Sequence, residues 1–291
     1  MPPKPHMSRN PVASPPVAPG PPDAHPRRPG VLAAGLLLLG AAVLPALVVR
    51  HDPANPPFQG MDERWLTWMG GPHEGLASAL ASALNWFGGP VGALVPVAVL
   101  VFLLVRGRRV SAGFLLGAYL AGNLLVVQAL KYLVDRPRPA HPMVRVDHGS
   151  FPSGHAAGAA LLVVVVGVLL VPAARRRAYW LGGAVFTLAM MWSRTWLHAH
   201  WLSDTAAGAA AGAGAGLLAW WLFAPALARE LGERRGRADR LDGPSHPGRP
   251  RRREPVRVRD RRGAAAAAPD PASAAERGHP APSGRAASTD G

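Results

Sequence analysis

The run VLAAGLLLLGAAVLPALVV, from Val31 to Val49, carries no charge over about nineteen residues. At ~1.5 Å per residue it matches the ~30 Å apolar thickness of a bilayer. Arg27 and Arg28 precede it, so a secretory signal is the competing reading. The run is long for a signal h-region, and it reads as a retained first span. Outward from it, apolar blocks recur at approximately 86–105, 110–130, 156–172, 178–193 and 205–224. The expected fold is therefore all-α: an integral membrane six-helix bundle over 31–228. Residues 1–30, Pro-rich, and 229–291, rich in Arg, Pro and Ala, are expected to be disordered cytoplasmic tails. Residues 61–69, with two tryptophans, suit a short helix in the interface.

The formal charge of +15 invites a nucleic-acid reading, but its distribution argues otherwise. Residues 1–30 carry +3, 31–228 carry +6 and 229–291 carry +6. In the middle region the excess sits mostly in short turns such as Arg106–Arg109 and Arg175–Arg177. That is a membrane topology signal, not a nucleic-acid groove. The positive-inside rule puts these turns and both termini in the cytoplasm. The loop 50–88, net −2, falls outside. The loop 131–152 breaks the rule: it is basic and also falls outside. The chain has no cysteine, which excludes disulfides, thiolate catalysis and Cys-ligated zinc.

Three polar clusters interrupt the blocks, all at the outer face: Lys131 to Pro139, Phe151 to His155, and Ser193 to Asp204. Lys131, Arg138 and Arg194 are cations at a membrane edge, where charge is costly unless used. Arginine's fork matches phosphate oxygens. Ser153 and Gly154 open a helix, whose free N–H groups favour an anion. His200 and Asp204 are four apart and share a helical face. A carboxylate on one imidazole nitrogen would fix the tautomer and leave the other free to attack phosphorus. His155 is placed to protonate the departing oxygen and then to activate water. This is a pocket for phosphoryl transfer, which rests on positioning and charge stabilisation.

These residues resemble the type 2 phosphatidic acid phosphatases, or lipid phosphate phosphatases, whose site is shared by vanadium haloperoxidases. Lys131 to Arg138-Pro139 fits Lys-x6-Arg-Pro. Pro152 to His155 fits Pro-Ser-Gly-His. Ser193-Arg194, His200 and Asp204 fit Ser-Arg-x5-His-x3-Asp. The resemblance covers roughly 86–220. It implies a phosphohistidine at His200, acid/base work by His155, and phosphate contacts from Lys131, Arg138, Ser153, Gly154 and Arg194. It implies no required metal and no cofactor. The expected substrate is a lipid phosphate or diphosphate: phosphatidic acid, phosphatidylglycerophosphate or an undecaprenyl diphosphate. A flippase for phosphorylated lipid and a vanadate-dependent haloperoxidase are the alternatives.

Several residues carry more than one reading. His198 and His200 with Asp204 could ligate a metal, but three converging cations oppose a dication, and His198 reads as an interfacial residue. Arg136 serves either the phosphate pocket or lipid headgroups, with Asp135 as its partner. Gly208, Gly212 and Gly216 recur every four residues, which suits close helix packing within the bundle or a homodimer face.

Overall fold

The apolar blocks become helical rods. The computed structural model describes residues 27–241, and all regular secondary structure among them is helical. The first rod is α1 (Pro29–His51); a short helix, α2 (Gln59–Trp68), follows it. α3 (Gly75–Gly88) and α4 (Pro90–Val105) form the second rod, bent by 45° at their junction. The third runs unbroken from Arg109 to Val134. It comprises α5 (Arg109–Tyr119), a π-helical stretch (Leu120–Val127) and α6 (Gln128–Val134). α7 (Gly154–Leu169), α8 (Arg176–Trp196) and α9 (Leu202–Leu241) complete the bundle.

α1, Arg109–Val134 and α9 are each long and apolar enough to cross a bilayer, as is the bent α3–α4 pair taken as one span; α7 is apolar but shorter. The bundle turns large apolar side chains outward along these rods, among them Leu37, Leu94, Val105, Leu124, Leu181 and Leu222. A belt of this kind needs lipid around it, and the chain is a membrane protein.

Two boundaries differ from the sequence reading. The loop 50–88 contains α3 as well as α2. Ser78, Ser82 and Asn85 dilute the hydropathy of α3, and Gly88-Gly89-Pro90 breaks it from α4, so it does not stand out as an apolar block. The structured region also passes residue 228. α9 continues because Glu230 accepts hydrogen bonds from the N–H groups of Val110 (2.8 Å) and Ser111 (3.2 Å) and from the Ser111 hydroxyl (2.5 Å). A carboxylate there satisfies orphan donors at the start of α5 and meets its positive dipole end. The remainder of both tails, 1–26 and 242–291, lies outside the described residues.

The bundle has two unlike ends. At one, Arg108 donates to the Leu169 carbonyl (3.1 Å) and Arg234 to the Arg106 carbonyl (2.6 Å), so the basic turns gather there. The three motif clusters gather at the other.

α9 is the hub, and glycine makes it so. A Cβ on Gly208 would run into the Ser153 carbonyl, and one on Gly212 into the Ala157 carbonyl; Gly216 packs on Leu161 and Val164. These glycines face α7 within the chain, the close helix packing that their spacing suits. Backbone cannot yield as a side chain can, so Gly212→Ala should force α7 from α9 and cost about 1–3 kcal/mol. Gly182, with open space around it, is the control: Gly182→Ala should be neutral or stabilising through helix propensity. Thermal unfolding in one detergent compares the two.

Candidate active site

The polar end is organised by how each helix ends. α6 stops at Asp135, which takes the left-handed conformation (φ 41°) and turns the chain back toward the bundle. Asp135 is therefore a helix cap and not the partner of Arg136. α7 starts at Ser153, whose hydroxyl accepts from the Ala156 N–H (3.5 Å). Ser153 is fully buried, and its own N–H donates to the Asp204 carbonyl (2.9 Å). Its main-chain N–H is thus committed to α9. Ser153 braces α7 against α9 and is not among the residues that line the cleft.

The cleft has a volume of about 280 Å³. Lys131, Arg138, Arg194, Gly154, His155 and His200 line it, so six of the eight expected site residues share one wall system. Asn123, Gln128 and Arg145 line it as well. Asn123 comes from the π-helical stretch, an irregularity that recurs at functional sites; composition gives no sign of it.

Asp147 already holds two of the cations. Its carboxylate lies 3.3 Å from Lys131 Nζ and also takes a hydrogen bond from Arg138 Nη2. Lys131 and Arg138 also donate to the Gly149 carbonyl (2.9 and 2.8 Å). Burial alone would push the Asp147 carboxyl up, but Lys131 and Arg138 together hold it below the usual carboxylate range, so it stays ionised at neutral pH. Its side chain is 62% exposed, which leaves it free to move aside.

His200 is buried between Ser150 and Arg138. Its Nδ1 lies 2.7 Å from the Ser150 carbonyl, and its Nε2 lies 3.3 Å from Arg138 Nη1. A carbonyl has no proton to give and a guanidinium has no lone pair to offer. The proton therefore sits on Nδ1, and Nε2 presents its lone pair to the cleft. Burial pushes the imidazole down to about 4; Asp204 pulls it up, and Arg194 and Arg138 push it down again. It is neutral at pH 7.

Asp204 does not bond His200 as expected. Its carboxylate stands 3.8 Å from Nδ1, beyond hydrogen-bond range. Instead it takes hydrogen bonds from the Ser150 hydroxyl, the Trp201 N–H (2.9 Å) and Arg136 Nη1 (2.6 Å).

Arg136 serves neither reading offered by the sequence. It is buried, away from cleft and headgroups, and donates to Asp204, to Ser203 Oγ (2.8 Å), to Gln59 Oε1 (2.6 Å) and to Asp62 Oδ2 (2.8 Å). Asp62 in turn accepts from the Ser203 N–H (2.9 Å) and hydroxyl (2.6 Å), at the start of α9. The short helix α2 thus reaches the site through two residues, Gln59 and Asp62.

His155 and Arg194 meet the end of α3. His155 Nε2 lies 3.2 Å from the Asn85 carbonyl, and Arg194 Nη1 donates to the Asn85 side chain. Arg194 Nε is buried without a partner. His198 points elsewhere: it has φ 50° and packs edge-on against His73 at 5.2 Å. Past His155 the cleft continues into a recess of about 200 Å³ lined by apolar residues such as Phe87, Pro96, Leu162 and Met190, with Tyr119.

Fold and cleft together define a helical membrane protein with a cation-lined polar mouth, two histidines and an apolar recess. The PAP2 superfamily model matches residues 112–227, a range that holds every motif position from Lys131 to Asp204. A crystal structure described as the first transmembrane PAP2-type phosphatidylglycerolphosphate phosphatase, from Bacillus subtilis, aligns at a TM-score of 0.48 and 20% identity. The alignment covers 62% of this chain and 93% of the other. No curated protein matches.

Proposed function

We propose that this chain is a membrane phosphatase that hydrolyses a lipid phosphate or diphosphate through a phosphohistidine on His200. The supporting observation is the joined shape of the site. A polar cleft with Lys131, Arg138, Arg194 and both histidines opens directly into an apolar recess. One end suits a phosphoryl group, the other a hydrocarbon chain.

The neutral His200 Nε2 attacks phosphorus, and the phosphorus–oxygen bond to the lipid breaks. Arg138, Lys131 and Arg194 spread the charge of the equatorial oxygens. His155 exchanges its bond to Asn85 for the leaving oxygen and donates its proton there. Water then attacks the phosphohistidine, His155 takes the proton, and phosphate leaves. No metal enters this scheme. The positive-inside rule puts the basic turns in the cytoplasm, so the site faces the extracytoplasmic side. Phosphatidic acid, phosphatidylglycerophosphate and polyprenyl diphosphates share the chemistry that this cleft addresses.

The test is phosphate release by purified protein from each of these lipids in detergent micelles with chelator present. Release that survives the chelator supports the reading; no release from any of them sinks it.

Asp147 supplies a second measurement. A substrate phosphate must displace its carboxylate from Lys131 and Arg138. Asp147→Asn should lower KM and the inhibition constant of vanadate by about two- to fivefold, an exposed ion pair's worth, with kcat little changed. A raised KM would show that Asp147 holds the cations in place rather than competing for them.

A further inference from the structure

We propose that Ser150 is a positioning residue for the nucleophile. Its main-chain carbonyl sets the His200 tautomer, and its hydroxyl ties that carbonyl to Asp204, which Arg136 holds. The inference rests on the reading of His200 as the nucleophile and adds to it.

The geometry closes on itself. Ser150 is fully buried and uses three groups at once. Its carbonyl accepts from His200 Nδ1 at 2.7 Å. Its hydroxyl donates to Asp204. Its N–H donates to the main-chain carbonyl of Arg136 at 2.7 Å. Arg136 then reaches Asp204 with its side chain at 2.6 Å. The unit runs Arg136, Ser150, Asp204 and back, and His200 hangs from it by one bond.

A direct His–Asp bond would do different chemistry. A carboxylate on Nδ1 stabilises the imidazolium strongly and raises basicity. A carbonyl fixes the same tautomer with less charge. The carboxylate, 3.8 Å away, contributes through space while its lone pairs are taken by Ser150, Trp201 and Arg136. The outcome is a histidine that stays neutral and aimed, with Nε2 toward the cations. Ser150 lies one residue before the Phe151-Pro152-Ser153-Gly154-His155 segment, so the segment that places His155 also orients His200.

Two measurements test this. The first is the ring nitrogen-15 spectrum of histidine-labelled protein, with the His200 signal assigned by its loss in His200→Ala. The expected spectrum shows Nδ1 protonated and Nε2 bare at pH 7. A proton on Nε2 overturns the proposal, whether or not the protein hydrolyses anything. The second is the pH profile of kcat and KM for wild type, Ser150→Ala and Ser150→Thr. Ser150→Ala frees Asp204 to act on His200 directly. kcat should fall by about tenfold or more with KM nearly unchanged, and the acid limb of kcat/KM should move up by about one pH unit. Ser150→Thr keeps the hydroxyl and should recover most of kcat. If Ser150→Ala does not fold, the wild-type tautomer and the Thr variant still decide. An unchanged pH profile and kcat in Ser150→Ala refutes the coupling to Asp204. If wild type releases no phosphate, the phosphatase reading falls, while the ring spectrum still tests Ser150.

Discussion

Substituting His200 by alanine should abolish lipid phosphate hydrolysis, with kcat/KM falling by at least about a thousandfold. No neighbour can replace it. His198 packs on His73, away from the cleft, and His155 hangs on Asn85 at the opposite wall. The bonds to Ser150 and Arg138 would vanish with the ring. The fold should survive: two hydrogen bonds of about 1 kcal/mol each and a modest cavity are lost. The decisive readout is phosphate release, checked beside the thermal midpoint in the same detergent. A His200→Ala protein with normal unfolding and undiminished turnover would refute the covalent mechanism. The wild-type acid limb should lie low. Because burial lowers the His200 pKa to about 4, the nucleophile stays unprotonated above that pH and is lost only below it.

Arg136→Met should produce the largest loss of stability. The side chains of Arg136, Asp62 and Asp204 are all fully buried. With the guanidinium gone, two carboxylates remain in the interior with no cation against them. Breaking such a pair costs about 3–5 kcal/mol, a large share of a typical total stability of ~5–15 kcal/mol. Arg136→Lys should fare better, because it keeps the charge, but it cannot reproduce a fork that serves Asp204 and Ser203 with one nitrogen and Gln59 and Asp62 with the other. Adding Asp62→Asn to Arg136→Met removes one stranded charge and should restore part of the loss. Thermal unfolding of the singles and the double reads this coupling. A double variant no more stable than Arg136→Met would mean that Asp62 is not the charge being stranded.

The sequence alone determined most of the apolar rods and pointed to residues that line one cleft. A charge-free block such as Val31–Val49 must be a helix in lipid, because every backbone group is satisfied within it. The spacings around Lys131, His155 and His200 pointed to one cleft, and the one basic loop that broke the topology rule marked it. Hydropathy missed α3 for a local reason: its serines and asparagine lower the average while its small residues pack on α8. It missed the end of α9 because Glu230 and its neighbours read as tail until their partners across the bundle are seen.

Tertiary structure decided the wiring among those residues. Spacing put Asp204 one helical turn from His200, yet no periodicity could show that Ser150 intervenes or that Arg136 turns inward. Asp62 lies 142 positions before Asp204 in the chain and reaches it through a single buried arginine. Such contacts depend on where α2, α6 and α9 end in space. The sequence says that a histidine can act here; only the packed ends of the helices say which of its nitrogens is free to do so.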